Sequence, residues 1–196
     1  INYCHIICSL SYPILFYMKI LFFIEALGFG GKERRLMELI HYLRQNTDFS
    51  LAMVLTEERI HFKQIYDLNV QVRVIKRKGI KRDPRLFKEF YDECVEFKPD
   101  IIHTWGFMTT FYAIPAKVLL GIPLVSSMIT VAKRDFKALS LNNLFFRLSC
   151  LFSNLIISNS KAGLRAFNVN SKKAKVIYNG VRLERFHQQY HLPQIR

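Results

Sequence analysis

The chain has 196 residues, 51% of them hydrophobic, and contains no internal repeat and no low-complexity segment. This size and composition argue against a disordered chain and predict one globular domain with a sizeable core. The formal net charge of +14 favours anionic partners, namely nucleic acid, anionic lipid headgroups or phosphorylated small molecules. Because no recognised nucleic-acid module and no RNA-binding cluster of aromatic residues is visible, we expect no nucleic-acid partner.

The first 17 residues are apolar, do not begin with Met and lack a basic amino-terminal region, so a secretory signal is not predicted. A membrane span needs about 20 apolar residues. The stretch reaches that length only if it includes the following strand, which contains Lys19 and Glu25. We therefore interpret residues 1–17 as a hydrophobic extension or translated upstream sequence, with Met18 as the natural start.

Strands and helices alternate along the rest of the chain. Continuous apolar runs predict strands, and apolar residues recurring at helical spacing predict helices. Asp83-Pro84 is expected to cap and begin a helix, and Gly121 to end one. The predicted order is strand 19–25, helix 31–45, strand 50–55, helix 61–67, strand 70–75, helix 83–97, strand 101–103, helix 107–120, strand 123–127, helix 137–152, strand 155–158, a short helix from Ser160, and strand 174–178.

This alternation predicts the fold class. Continuous apolar strands separated by helices indicate a parallel sheet covered on both faces, hence a Rossmann-like, doubly wound α/β domain. In such sheets, ligands bind beyond the carboxyl ends of the strands, near the topological switch point. The glycines at 28–31 and His103 both follow strands, so we expect them to share one cleft.

Residues 27–34 (Leu-Gly-Phe-Gly-Gly-Lys-Glu-Arg) join the first strand to the first helix. Such a turn directs free N–H groups and the helix dipole at one point, which suits a phosphate, a carboxylate or a sugar hydroxyl. Glycines allow close approach of the ligand and a turn with positive φ. A dinucleotide fingerprint needs a sixth-position glycine, which is Glu33 here, and no Gly-Lys-Ser/Thr phosphate loop is present. The loop therefore argues against a nucleotide-dependent Rossmann enzyme, which stays as a less favoured alternative function.

Four segments, in order and spacing across residues 19–186, resemble glycosyltransferase family 4 enzymes. Residues 30–34 match the family's Gly-Gly-x-Glu-Arg loop, and residues 98–105 (Lys-Pro-Asp-Ile-Ile-His-Thr-Trp) resemble its Lys-Pro-Asp-Ile-Ile-His strand. Residues 156–160 (Ile-Ile-Ser-Asn-Ser) are similar to its Val-Ile-Ser-Asn-Ser strand end. Residues 175–186 resemble its Val-Ile-Tyr-Asn-Gly-Val-Asp-x-x-Arg-Phe segment.

The resemblance implies a GT-B fold, in which two Rossmann-like domains face one cleft. It implies transfer of a sugar, with retention at the anomeric carbon, from a nucleotide-sugar donor to a glycan or lipid-linked acceptor. No metal or other cofactor is implied. The resemblance covers only the amino-terminal, acceptor-side domain, because the chain ends at Arg196, before the donor domain with its Arg/Lys pair and Glu-x7-Glu motif. We therefore expect the chain to be inactive alone.

The resemblance and the strand-end positions give the candidate site residues. In the family the glycine loop lies against the donor phosphate and the transferred sugar, which implies that role for Gly30 and Gly31. His103 is the candidate catalytic residue, because a strand-end imidazole can orient an acceptor hydroxyl or accept a proton near neutral pH. Trp105 stands where many relatives have the second His of a His-x-His pair, and suggests a stacking face for a sugar. The other candidate substrate-binding residues are Glu33, Arg34, Ser127, Asn159, Ser160, Asn179 and Gly180.

Each candidate also has a purely structural interpretation. The glycines then form an ordinary tight turn, while Glu33 and Arg34 stabilise the first helical turn. His103 is then a hydrogen-bonded core histidine. Capping or turn formation is the structural role of the remaining polar candidates, Ser127, Asn159, Ser160, Asn179 and Gly180.

The four cysteines, Cys4, Cys8, Cys94 and Cys150, form no Cys-x-x-Cys pair and have no histidine at ligand-like spacing. They predict free or buried thiols in a reducing compartment, the cytoplasm, and no metal site.

We place the family-like domain at residues 18–187 and the start of an interdomain linker or truncated tail at 188–196. Seven cations lie in residues 76–88 with Asp83 as the sole acid, and Lys133, Arg134 and Lys137 follow later. These cations are either a solvated surface or a contact with anionic lipid on the inner face of the membrane. The alternative function is a non-catalytic module or partner subunit that binds a glycan or a membrane surface.

Overall fold

The computed structural model describes residues 17–80, 82–128, 140–166, 168–169 and 172–180. Some sequence-based predictions lie outside these ranges: the extension at 1–16, Cys4, Cys8, Lys81, the cations at 133, 134 and 137, the motif residues 181–186, and the tail at 188–196.

Seven parallel strands form one sheet in the order β3-β2-β1-β4-β5-β6-β7. Phe22 at the centre of β1 lies opposite Met53 on one side and His103 on the other. The strands are β1 (Lys19–Ile24), β2 (Ser50–Leu55), β3 (Gln71–Val74), β4 (Ile101–Thr104), β5 (Leu124–Met128), β6 (Leu155–Ser158) and β7 (Ala174–Val176). The predicted Rossmann-like parallel sheet is confirmed, although the strands predicted at 70–75 and 174–178 are shorter.

Within the described residues, five α-helices connect the strands: α1 (Gly31–Asn46), α2 (Arg85–Phe97), α3 (Phe107–Leu120), α4 (Leu141–Phe152) and α5 (Lys161–Ala166). The helix predicted at 61–67 is a 3-10 helix, Lys63–Leu68, followed by Asn69 in the left-handed region. The described part of the helix predicted at 137–152 begins at Leu141, because Ser140 Oγ accepts a hydrogen bond from the amide of Asn143 at 3.2 Å. Gly121, at φ +71°, ends α3 as predicted.

The start of α2 is held by the carboxylate of Asp83, the residue before the N-cap position. Pro84 occupies the N-cap position, and Asp83 accepts hydrogen bonds from the amides of Lys78 (3.0 Å) and Arg85 (3.1 Å). The guanidinium of Arg85, followed by the Lys78 amide, holds the pKa of the buried Asp83 carboxyl well below its usual range. Asp83 therefore joins the loop at Lys78 to the first turn of α2, and does more than cap the helix.

The helices cover the two faces of the sheet unequally. On one face, called the α1 face, Phe22, Leu36, Ile40 and Met53 lie in a core formed by α1, the 3-10 helix and strands β1 and β2. On the other, called the α2–α4 face, α2, α3 and α4 pack over most of the sheet, and the core extends from β2 to β6. This inequality leaves strands β4, β5 and β6 without a helix on the α1 face among the described residues.

Candidate functional site

An open cavity of about 420 Å³ lies on the α1 face beside α1. It extends over β1, β4, β5 and β6 toward the carboxyl ends of the strands, where ligands bind in parallel sheets. Its polar lining residues are Arg35, His103, Trp105, Ser127, Asn159 and Asn179. Apolar side chains form the rest of the lining: Ile20, Phe22, Leu39, Leu43, Ile101, Val125, Leu155, Ile157 and Ile177. Five of the predicted site residues thus meet in one cavity.

Two of the lining residues, His103 and Ser127, are paired by a hydrogen bond. Neighbouring strands β4 and β5 bring His103 Nε2 within 2.8 Å of Ser127 Oγ, a hydrogen bond whose donor depends on the imidazole tautomer. His103 is only 9% exposed, and burial lowers its pKa from 6.5 to about 4. The imidazole is therefore neutral at neutral pH, with one nitrogen able to donate and the other able to accept.

Trp105 directly follows β4 and is 4% exposed. Its backbone N–H donates to Phe23 O at 2.8 Å, and its ring centroid lies 5.2 Å from that of His103. The buried indole Nε1–H has no hydrogen-bond acceptor among the described residues. Most of the ring packs into the α1-face core, and Trp105 also lines the cavity, so its role as a stacking face for a sugar stays a prediction.

Arg35 contributes a cation that the sequence analysis missed. Its side chain lines the cavity, and its Nη2 donates to Gly180 O at 3.5 Å, which joins α1 to the segment after β7. Arg35, Leu39 and Leu43 recur every four residues and so share one stripe of α1. That periodicity was the available signal, because the buried positions Leu36 and Ile40 fix which side of the helix faces the sheet.

A buried hydroxyl network holds the turn that carries Trp105. Thr110 Oγ1 lies 2.6 Å from Thr104 Oγ1 and 2.9 Å from Ser126 Oγ, and it donates to Gly106 O at 2.7 Å. Gly106 has φ +141°, and a Cβ there would come within 2.7 Å of the Glu25 carboxylate. Gly106 is therefore a second residue that sequence analysis missed, required by its backbone conformation and by close contact.

The glycine loop lies at the same edge of the sheet but does not line the cavity, so the expected shared cleft is not observed. The two regions are joined through Glu25, which accepts a hydrogen bond from Lys32 Nζ at 2.5 Å and lies against Gly106. The predicted positive φ is also wrong. Gly30 is the N-cap of α1 at φ −74°, and Gly28 and Gly31 are not among the positive-φ glycines.

Gly30 and Gly31 differ in the space around them. A Cβ at Gly30 would overlap the carboxylate of Glu33, whereas one at Gly31 would meet nothing within 4 Å. Glu33 lies in the first turn of α1, where a carboxylate complements the helix dipole. Arg34 lines a separate cavity of about 330 Å³ against the 3-10 helix.

Ser160 and Gly180 lie beside the cavity lining rather than in it. Ser160 Oγ accepts a hydrogen bond from the amide of Gly163 at 2.9 Å, which is helix capping at the start of α5. Gly180 contributes its carbonyl to Arg35. Asn159 and Asn179, their chain neighbours, do line the cavity.

The remaining chemistry is sparse in the part of the chain that the structure describes. Cys94 and Cys150 are free thiols, and burial raises the pKa of each to about 12. Among the described residues, no group of His, Cys, Asp and Glu side chains is arranged to hold a metal ion. Within the same ranges, no helix is long and apolar enough to cross a membrane.

Residues 29–185 match the family model described as Glycosyltransferase Family 4. The chain belongs to glycosyltransferase family 4. The matched range includes every lining residue of the cavity except Ile20 and Phe22. No curated protein matches the sequence.

Solved structures resemble the fold over about half of their own length. HepE of Anabaena, in complex with UDP and glucose, is 20% identical with a TM-score of 0.64, and the match covers 85% of this chain and 46% of HepE. The lipopolysaccharide outer core galactosyltransferase WaaB is 19% identical with a TM-score of 0.62, covering 85% and 47%. UDP-GlcNAc 2-epimerase from Neisseria meningitidis, bound to UDP-GlcNAc, is 16% identical with a TM-score of 0.59, covering 81% and 45%. These likenesses establish a fold equivalent to one half of a GT-B enzyme.

Proposed function

We propose that this domain binds the acceptor for a family 4 sugar transfer, in the cavity on the α1 face. The observation that carries the proposal is the open cavity itself, in whose lining the neutral imidazole of His103 and the indole of Trp105 lie with ring centroids 5.2 Å apart. The Trp105 indole N–H is buried and has no partner among the described residues, so a bound sugar oxygen that displaces its surroundings and reaches it would remove a free-energy cost. A sugar offers hydroxyl oxygens for these groups and C–H faces for the apolar lining.

His103 is the proposed catalytic residue, acting on the acceptor hydroxyl rather than on the donor phosphate. With its pKa near 4, it is neutral under cellular conditions, so it can accept or donate one hydrogen bond while Ser127 holds Nε2. Arg35, at the side of the cavity, is the cation proposed to face a negatively charged part of the substrate. Asn159 and Asn179 supply further donors and acceptors for hydroxyl groups.

We also propose that the donor is a nucleotide sugar, bound without a metal mainly by a second domain, with retention at the anomeric carbon. The similarity to HepE, whose structure contains UDP and glucose, and to the galactosyltransferase WaaB supports this class of donor. Because the matches cover only about half of those chains, we expect the present 196 residues to be catalytically inactive alone. Release of UDP from UDP-glucose or UDP-galactose by the purified chain, with any saccharide present, would contradict that dependence.

Acceptor binding is tested by calorimetric titration with glucose, galactose and N-acetylglucosamine. Val125→Phe fills the cavity, and Val118→Phe makes the same change at an exposed position of α3 on the other side of the sheet. We expect saccharide affinity to fall at least roughly tenfold in Val125→Phe and to be retained in Val118→Phe. Equal affinities in both variants would place the sugar elsewhere. Saturable NAD binding with no saccharide binding would favour the nucleotide-dependent alternative.

We further propose that the acceptor is a glycan or lipid-linked glycan met at the cytoplasmic face of a membrane. The basic run at 76–88 supports this location, since anionic headgroups attract clustered Lys and Arg. Several of its cations are already paired, however: Lys76 with Glu58, Arg85 with Asp83, and Lys88 with Asp92. The charge of this run alone would therefore bind a membrane only weakly, and a stable membrane contact needs an apolar component as well.

A further inference from the structure

Helix α4 carries an apolar stripe on the side that faces away from the domain. Leu141, Leu144 and Leu151 are 58%, 50% and 65% exposed, and Leu148 lies between them at the same helical spacing. The opposite side of α4 is occupied by its packing on α3, where Ser149 Oγ donates to Phe107 O at 2.9 Å. α4 is thus apolar on its outer side as well as on its packed side, whereas the outer side of a surface helix is ordinarily polar.

The surroundings of this stripe are positively charged. Arg147 is exposed among the leucines, and α4 contains no acidic residue. Arg82, from the basic run, donates to Asn142 Oδ1 at 2.8 Å and lies 5.2 Å from the ring centroid of Phe145. Through Arg82, the basic run at residues 76–88 is therefore continuous with the surface at the start of α4. Between residues 101 and 183 the sequence has a single acid, Asp135.

We propose that the outer face of α4 docks on an anionic lipid bilayer, with the leucine stripe in the headgroup–acyl boundary and Arg82 and Arg147 against lipid phosphates. A bilayer is the partner that offers an apolar layer and a dense negative surface together. The stripe runs along nearly the whole of α4, roughly 18 Å at 1.5 Å per residue, so docking through it would lay the helix in the plane of the interface. A protein partner would need acidic residues around an apolar patch, and is the competing outcome.

This contact would fix the acceptor cavity relative to the membrane with the sheet between them, because α4 lies on the α2–α4 face and the cavity on the α1 face. Phe107, the first residue of α3, packs against Phe146 of α4 and follows the Trp105-Gly106 turn beside the cavity. Docking through α4 thus fixes the cavity's position relative to the bilayer through one helix pair. The inference deepens the membrane location proposed above, and it stands apart from the question of whether the cavity binds a sugar.

The test is co-sedimentation of the full 196-residue chain with vesicles of phosphatidylcholine alone and of equal parts phosphatidylcholine and phosphatidylglycerol. The variants are Leu144→Asp and Leu151→Asp in the stripe and Arg147→Gln beside it. Tyr42→Asp is the matched control, because Tyr42 is 62% exposed on α1, on the other side of the sheet. Circular dichroism melting verifies that each variant is folded.

We expect binding to the mixed vesicles that weakens with added salt, and at least roughly tenfold weaker partition for either leucine variant. Arg147→Gln should lose binding less, and Tyr42→Asp should match the parent chain. The proposal is overturned if the parent chain ignores the mixed vesicles or if folded leucine variants bind them normally. It is also overturned if light scattering shows that the stripe joins two copies of the chain instead. Saccharide titration of Leu144→Asp separates the two proposals, because lost docking should leave sugar affinity unchanged.

Discussion

The same three strands behave differently on the two faces of the sheet. On the α2–α4 face, Ile102, Leu124 and Ile156 of β4, β5 and β6 are fully buried under helices. On the α1 face, their chain neighbours Val125 and Ile157 are only partly buried and line the cavity. Both sets are apolar, so hydrophobicity does not distinguish the structural face from the candidate binding face.

Topology explains the difference. The chain passes from β1 to β2 and β3 in one direction along the sheet, then reverses and adds β4, β5, β6 and β7 in the other. Because crossovers between parallel strands are right-handed, the reversal moves every later helix to the opposite face. The α1 face of β4–β6 is left open as a consequence, at the switch point where α/β sheets bind ligands.

The largest contrast between the two faces should appear in stability. Phe90 of α2 is fully buried and stacks on Phe23 at a centroid distance of 4.1 Å. Phe90→Ala should destabilise the fold by about 3–5 kcal/mol. Val125→Ala on the open face should cost only about 1 kcal/mol, because its site is already partly solvated. Urea denaturation followed by circular dichroism measures both, and equal losses would contradict the assignment of the two faces.

The second largest effect should be a loss of stability when His103, on the α1 face, is protonated. Its pKa of about 4 in the folded chain lies below its unfolded value of 6.5, so the unfolded state binds the additional proton between these values. The contribution of the neutral imidazole to the free energy of unfolding is complete above pH 6.5. It falls by about 3 kcal/mol as the pH drops to 4. His103→Asn should remove this part of the pH dependence. An unchanged slope in denaturant titrations of the variant would show that the imidazole is not buried as described.

Adjacent serines on β5 permit a smaller, matched comparison. Ser127→Ala leaves His103 Nε2 without its partner and should cost about 1–3 kcal/mol. Ser126→Ala, on the α2–α4 face, should cost about 1 kcal/mol, because Thr110 keeps its bonds to Thr104 and Gly106. Only Ser127→Ala should shift the imidazole titration in NMR spectra. A shift of similar size in Ser126→Ala would mean that the two faces are coupled.

The smallest effect concerns thiol reactivity. Cys94 of α2 is buried, Cys150 of α4 is half-buried, and burial raises both pKa values to about 12. Both should react with iodoacetamide much more slowly than in the urea-unfolded chain, and Cys150 should react before Cys94. Peptide mass mapping resolves the two sites. Rapid labelling of Cys94 in the folded chain would show that the covered face opens readily.

The sequence was most informative where the backbone alone decides the outcome. All seven strands were predicted, and strand-end logic placed His103, Ser127 and Asn159 together because parallel strands end at one edge. Arg35 was missed in favour of Arg34, since one residue turns the side chain by about 100° around the helix axis and only the packing of α1 decides which one faces the sheet. The positive φ expected at the glycine loop was found instead at Gly106, whose φ of +141° is one that L side chains rarely adopt.

The acceptor-binding proposal is tested most directly at the indole of Trp105, the one tryptophan in the chain. In a ¹⁵N-labelled sample, its Nε1–H gives a single indole cross-peak that can be followed during titration with glucose, galactose and N-acetylglucosamine. We expect at least one sugar to move that peak downfield in a saturable way, as the unpaired donor gains an acceptor oxygen, and Val125→Phe to abolish the shift. A peak that no sugar moves, in a chain that remains folded, would contradict acceptor binding in this cavity.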